Sequence, residues 1–201
     1  MQNHYMNDFI SLKVSLNKSN PSIWRQIILH KTHTFFELHH IIQITMGWKN
    51  YHAYEFNLEG FRIGPIIEDE ILEGYGNNSI LDCNTAMLLD VVSNIGDIII
   101  YEYDFGDGWQ HTLEVKGFID ADHSLMYPIC IAGEMACPPE DCGGIRGFGD
   151  LLEILKNKKH QDYKDYKRWL PRGYDPTKFN LEKVNKELGK LDRYISKWLR
   201  W

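Results

Sequence analysis

Residues 98–118 limit the folds open to this chain more than any other stretch. Ile98-Ile99-Ile100-Tyr101-Glu102-Tyr103 is an apolar, β-branched and aromatic run, the composition of a buried strand. Asp104-Phe105-Gly106-Asp107-Gly108-Trp109 then crowds turn formers together: Asp tolerates left-handed backbone, and Gly reaches it at no steric cost. From His111 to Phe118 the chain alternates again. Two strands joined so tightly pair as an antiparallel β-hairpin, and its tip carries two carboxylates and a Trp.

The stretches on either side read in the same way. Ile10, Leu12, Val14 and Leu16 alternate with polar residues, Asn20-Pro21 breaks the run, and Ile23 to Leu29 gives a second strand. Thr34-Phe35-Phe36-Glu37 is a capping box, opening a helix to about Met46 that Gly47 ends. His52 to Leu58 alternates as a further strand, and Gly60 turns the chain into Phe61 to Ile63. Residues 64–83 are acidic and turn-rich, the stretch expected to be most flexible. Thr85 to Leu89 and Tyr127 to Ile131 read as short strands. Helices are expected over Phe148–Asn157 and Gln161–Leu170. A long final helix capped by Asn180 carries Leu181, Val184, Leu188, Leu191, Ile195 and Trp198 on one stripe. Strands first and helices last predict an α+β fold, an antiparallel or mixed sheet of hairpins with helices in the C-terminal third. One domain over 1–201 is expected, strand-rich over 1–147, helical and basic over 148–201.

Charge is distributed unevenly. The net charge is −6, yet residues 1–150 hold 8 Lys+Arg against 21 Asp+Glu, and residues 151–201 hold 14 against 7. The basic tail either packs beside the acidic body, within or between chains, or offers a surface to nucleic acid; the overall pI of about 5.8 weighs against nucleic acid. No apolar run approaches a bilayer span, and the start lacks a basic region followed by an apolar stretch, so no membrane partner is expected and the cytoplasm is the expected location. Four cysteines in a chain of this length do not make a disulfide scaffold. Cys130, Cys137 and Cys142 leave only one gap in the range of paired zinc ligands.

Nine residues stand out as a candidate site. Asp104, Asp107 and His111 lie within eight residues around the hairpin tip, a ligand set for a divalent cation or for acid–base work. Asp-Gly is also favoured at hairpin turns for conformational reasons alone, so both readings stay open. Trp109 reads first as a packing aromatic. Glu140-Asp141 is held between Pro138-Pro139 and Gly143-Gly144, stiff on one side and sharply bent on the other, placed to cap an amide or meet Arg25. Arg25, beside Trp24, can bind an anion or pair with an acid. His39 and His52 are either packing histidines or contributors to the same surface. No metal ligand set is assigned, and any cofactor stays unknown.

Several segments in order resemble the plasmid pRiA4b Orf-three-like family: Pro21-Ser22-Ile23-Trp24-Arg25, Leu38-His39 with Gly47-Trp48 and His52, the string Tyr101 to His111, and Pro138-Pro139-Glu140-Asp141-Cys142-Gly143-Gly144. Asp175-Pro176 with Phe179 and Asn185 completes the series, which spans about 21–185. The resemblance implies a single α+β domain with no settled activity; some members carry labels tying them to mobile elements or resolvase-like passengers. A serine recombinase needs a nucleophilic Ser beside catalytic arginines, whereas Ser11 and Ser15 lie on an alternating strand with no Arg interleaved.

The chain lacks a Gly-rich phosphate loop followed by Lys, a nucleophile elbow and an HExxH motif. The leading expectation is an intracellular binding or interaction module using the hairpin tip and the acidic loop. A metal-assisted hydrolase or nuclease built on Asp104, Asp107, His111 and Glu140 or Asp141 is the alternative, so whether the chain is an enzyme stays open. Nucleic-acid binding through the basic C-terminal helices is the second alternative, and a second copy of the chain is a further candidate partner. The central expectation is spatial: the stretches near 104 and 140 converge.

Overall fold

The computed structural model describes residues 8–66, 80–120, 122 and 124–198. Its eight described strands are β1 (Phe9–Leu16), β2 (Trp24–His30), β3 (Tyr54–Leu58), β4 (Phe61–Gly64), β5 (Ile80–Asp82), β6 (Ile98–Tyr103), β7 (Trp109–Ile119) and β8 (Ile129–Glu134). They form one mixed sheet in the order β5-β4-β3-β6-β7-β1-β2-β8. Neighbours are antiparallel except β4 and β5, which run parallel. The helices are α1 (Phe35–Met46), α2 (Gly144–Lys156), α3 (Tyr163–Trp169), α4 (Leu181–Leu188) and α5 (Leu191–Ile195). The fold is α+β, with the later helices gathered in the C-terminal part.

One sheet face is apolar, as period-two alternation requires. Ile10, Leu12 and Val14 of β1, Tyr101 and Tyr103 of β6, and Leu113 and Val115 of β7 are all fully buried. Helix α1 covers this face. The Phe35 ring meets Phe56 of β3 edge-on, and the capping box forms with both Thr34 and Glu37 engaged. Helices α4 and α5 pack against α1, and α4 also meets β8. The opposite face carries Lys13, Gln26, Thr112 and Glu114 in register and stays in contact with solvent, the usual arrangement of an antiparallel sheet with one covered side.

Three expectations are corrected. The C-terminal stripe is not one helix: it breaks at Gly189 and Lys190 into α4 and α5. Glycine gives up more backbone entropy than any other residue in a helix, so a break there costs least, and Leu188, Leu191 and Ile195 stay buried on either side of it. Thr85 to Leu89 is not a strand: Met87 makes one isolated bridge to Thr34, and Leu88–Asp90 is a 3-10 turn. Helix α2 starts at Gly144, four residues before the expected position: the Gly147 amide already donates to the carbonyl of Gly143 at 3.0 Å, directly after the left-handed turn that Gly143 makes at φ 88°. Most of the stretch expected to be flexible, 67–79, lies outside the described residues. Among the described residues no helix is long and apolar enough to cross a membrane.

Candidate functional site

The site follows from one register. Strand β3 pairs antiparallel with β6 so that Tyr54 faces Tyr103, and one step beyond the ladder the Asp104 amide donates to the Ala53 carbonyl at 2.9 Å. His52 therefore enters β3 at the point where the chain leaves β6 for the hairpin tip. Residues 104–108 close that tip between Tyr103 and Trp109. Asp104 takes up left-handed backbone at φ 58°, a conformation Asp adopts more readily than most residues. Its Oδ1 accepts from the amides of Gly106 (3.0 Å) and Asp107 (3.2 Å), which fixes the carboxylate and leaves Oδ2 turned away from the tip backbone.

The acidic loop docks on this ground through five hydrogen bonds. The Trp48 indole donates to the Pro138 carbonyl at 2.9 Å, and the Lys49 amide donates to both oxygens of Glu140 at 3.1 Å. The Tyr103 hydroxyl donates to Glu140 at 2.6 Å, and the Gly143 amide donates to Asp107 Oδ2 at 3.2 Å. The stretches near 104 and 140 thus converge. Their four acids divide the work: Glu140 and Asp107 tie loop to loop, while Asp104 and Asp141 face His52. His52 Nε2 lies 3.2 Å from Asp141 Oδ1 and 3.5 Å from Asp104 Oδ2. It is a buried atom that makes no well-aligned hydrogen bond. One ligand atom from each of the three residues falls within 4.8 Å of the others. Asp141, like Asp104, sits at positive φ (60°), so left-handed backbone aims both carboxylates at the imidazole. Asp104 is buried and Asp141 largely exposed, so the trio opens to solvent on one side.

The other expected residues have different places. His111 and Trp109 share the parity of Leu113 and Val115, and all four point into the core. His111 Nδ1 meets the Trp109 carbonyl at 3.1 Å, its ring packs edge-on against Trp48, and burial pushes its pKa down to about 3. It stands apart from the His52–Asp104–Asp141 cluster, and the alternation of β7 was the signal that could have shown it. His39 is buried and stacked on Tyr54 at 3.5 Å. Its Nε2 donates to Asn50 Oδ1 (2.6 Å) and its Nδ1 accepts from the Tyr101 hydroxyl (2.8 Å), while Gln43 Oε1 accepts from the Asn50 amide. The Gln43 side-chain amide donates to the Tyr101 hydroxyl at 3.1 Å, and the ring so closed holds the turn that delivers Lys49, Tyr51 and His52. Burial, with His40 alongside, keeps His39 well below the ordinary imidazole pKa. Arg25 does not meet Glu140; its buried guanidinium donates to the carbonyls of Trp24, Thr45, Glu134 and Met135.

Asp141 also lines a cleft of about 830 Å³ between the 46–51 turn, the acidic loop and the C-terminal helices. Lys49, Arg172, Lys183, Arg193 and Lys197 point to it, with the exposed rings of Tyr51 and Trp169. None of these seven was singled out from sequence; the charge imbalance of the tail was the only sign of them.

The family model of the plasmid pRiA4b ORF-3-like protein matches residues 8–183. The chain belongs to this family. A relative from Sinorhizobium fredii (strain NBRC 101917 / NGR234), uncharacterized protein y4hQ, is 31% identical over 193 residues, covering 95% of this chain and 94% of its own. A protein of unknown function from Methanosarcina mazei Go1, MM3350, has a crystal structure that superposes with a TM-score of 0.79 at 32% identity. That match covers 88% of this chain and 97% of the other. The pRiA4b ORF-3-like fold is thus shared across nearly the whole length of these relatives, and no specific activity comes with it.

Proposed function

We propose that this pRiA4b ORF-3-like chain is a cytoplasmic binding module whose site takes a divalent cation on His52, Asp104 and Asp141, at the edge of the cleft that receives its ligand. The observation carrying the reading is the trio itself: an imidazole nitrogen with no well-aligned hydrogen bond, flanked by one carboxylate oxygen from each of two loops that other acids lock together. One nitrogen and two carboxylate oxygens suit a borderline ion such as Mn²⁺ or Zn²⁺. Four free cysteines fit a reducing compartment.

Three protein ligands would leave positions on such an ion for water or an anionic ligand, so metal-assisted hydrolysis is the second reading, supported by the same trio. Here the chain's own residues hold and orient: the hairpin tip fixes Asp104, the acidic loop brings Asp141, and the Asn50 turn places His52. Thermal unfolding with and without Mn²⁺, Mg²⁺ and Zn²⁺ tests the site. Stabilisation by at least one ion that Asp104→Asn abolishes is expected; no shift with any ion, or an undiminished shift in the variant, overturns it. Turnover of a generic phosphodiester in the presence of that ion would promote the second reading.

A further inference from the structure

Among the charged residues that line the cleft beside the trio, cations outnumber acids. In the C-terminal third some cations pair along their own helix or turn, as Lys156 does with Glu153, Arg168 with Asp165 and, at the cleft itself, Lys178 with Asp175. Lys158, Lys159, Lys164, Lys167 and Lys186 make no such pair among the described residues but lie scattered outside the cleft. Lys49, Arg172, Lys183, Arg193 and Lys197 make no close ion pair among the described residues, although the whole chain carries a net charge of −6. They come from separate segments, the turn after α1, the loop after α3, α4, and α5 with the residues after it, and they meet only because these pack around one cleft. Two of the three acids there are already engaged, Glu140 by Lys49 N–H and Tyr103 and Glu187 by Lys190 at 2.8 Å, and the third, Asp141, lies 3.2 Å from His52 on the side of the trio. Two aromatic rings are exposed on the same surface, Tyr51 at 67% with the Lys49 ammonium 5.7 Å from its centroid, and Trp169 at 46% with Tyr166 edge-on to it.

We infer that this cleft binds a single strand of nucleic acid, its phosphates on the unpaired cations and a base stacked on Tyr51 or Trp169. Clustered cations with accessible aromatic faces are the two elements of single-strand recognition: charge follows the backbone, and every base offers a π-face. A concave cleft admits a flexible strand with splayed bases, whereas a duplex keeps its bases stacked inside and cannot present one to Tyr51. The inference rests on the cleft being the module's ligand-binding surface, and it is independent of the cation site.

The test is fluorescence anisotropy of the full chain with a labelled thymidine 20-mer and a duplex of equal length, in EDTA, from 50 to 200 mM salt. The single strand is expected to bind more tightly than the duplex, with log affinity falling against log salt at a slope of about −3, for four or five phosphates at about −0.7 each. The double variant Lys183→Glu/Arg193→Glu should weaken binding at least tenfold. Lys164→Glu/Lys167→Glu, the same charge change on α3 outside the cleft, should leave it within twofold. Tyr51→Ala should weaken binding about tenfold, as loss of one stacked base does. Absence of binding at 50 mM salt, equal losses in the two charge reversals, or duplex binding as tight as single-strand binding overturns the inference. Tyr51→Ala and Trp169→Ala both binding as tightly as wild type would reduce the cleft to a non-specific polyanion surface, which also overturns it. Failure of the cation reading shows separately, as loss of the metal-induced thermal shift with oligonucleotide binding in EDTA intact.

Discussion

The backbone carbonyl of Asp107 passes so close to Gly144 that a Cβ on that glycine would lie 2.4 Å from its oxygen. Gly144 also sits at φ 66°, and its neighbour Gly143 donates its amide to the Asp107 carboxylate. This is where the hairpin tip and the acidic loop touch, and only residues without a side chain fit the gap.

Gly144→Ala is therefore expected to cost about 2–3 kcal/mol, combining a clash with backbone and a strained φ. In a chain of this size that lowers Tm by roughly 5–10 °C, read by calorimetry. Gly149→Ala is the contrast: a Cβ there meets nothing within 4 Å, and α2 should gain about 0.5–1 kcal/mol. Equal effects of the two substitutions would show that the loops do not meet at Gly144.

Asp104→Asn separates the charge of this residue from its conformational work. The amide keeps an oxygen to accept from Gly106 and Asp107, so the tip should hold, with stability within about 1 kcal/mol of wild type. At a hundredfold excess of ion over Kd, binding stabilises by about 2.7 kcal/mol, a Tm rise of roughly 5–10 °C that Asp104→Asn should erase. Asp104→Ala should both erase that rise and lower the metal-free Tm. Thermal melts of the two variants with and without Mn²⁺ check both outcomes.

Stability should fall with acidification in a window set by buried histidines. His111 is held neutral down to about pH 3, and His39 is shifted in the same direction by burial. In the unfolded chain each takes up a proton near pH 6.5. Below that pH the unfolded state binds protons that the folded state refuses, so the stability is complete above about pH 6.5 and is lost as the pH drops. The slope is about 1.4 kcal/mol per pH unit for each histidine. That is the limiting slope well below pH 6.5; in urea unfolding at pH 7.5, 6.5 and 5.5, His111→Phe should lose about 1 kcal/mol less than wild type between pH 6.5 and 5.5, and only about 0.4 kcal/mol less between 7.5 and 6.5. An unchanged slope would mean that folded His111 accepts the proton.

Arg25 anchors the strand end rather than the ligand. Its guanidinium donates to four carbonyls and lies 4.1 Å from the Phe179 ring centroid, an arrangement one ammonium cannot reproduce. Arg25→Lys should cost about 2–4 kcal/mol in denaturant unfolding, since at least one buried carbonyl loses its donor and the planar stack is lost. Metal-induced stabilisation, measured relative to the variant's own metal-free melt, should persist. If the variant folds normally but loses that increment, Arg25 acts at the site itself.

The features legible in the residues alone are those whose physics is local. Period-two alternation in Ile10–Leu16 and from His111 marked which residues are buried, because successive strand side chains point to opposite faces. The Thr34–Glu37 box started α1, and Asp-Gly pairs placed the tip at 104–108. The same alternation turned His111 inward with Leu113, so nearness in sequence to Asp104 was a poor guide to shared chemistry. The candidate site, by contrast, rests on pairings between distant segments. The β3–β6 register puts His52 beside Asp104 across some fifty residues, and the Glu140 and Asp107 bonds carry Asp141 to the same point. The cations of the cleft likewise come from the turn after α1 and from the C-terminal helices. Such pairings depend on how whole elements pack, a property of the assembled sheet and helices that no short window of residues encodes.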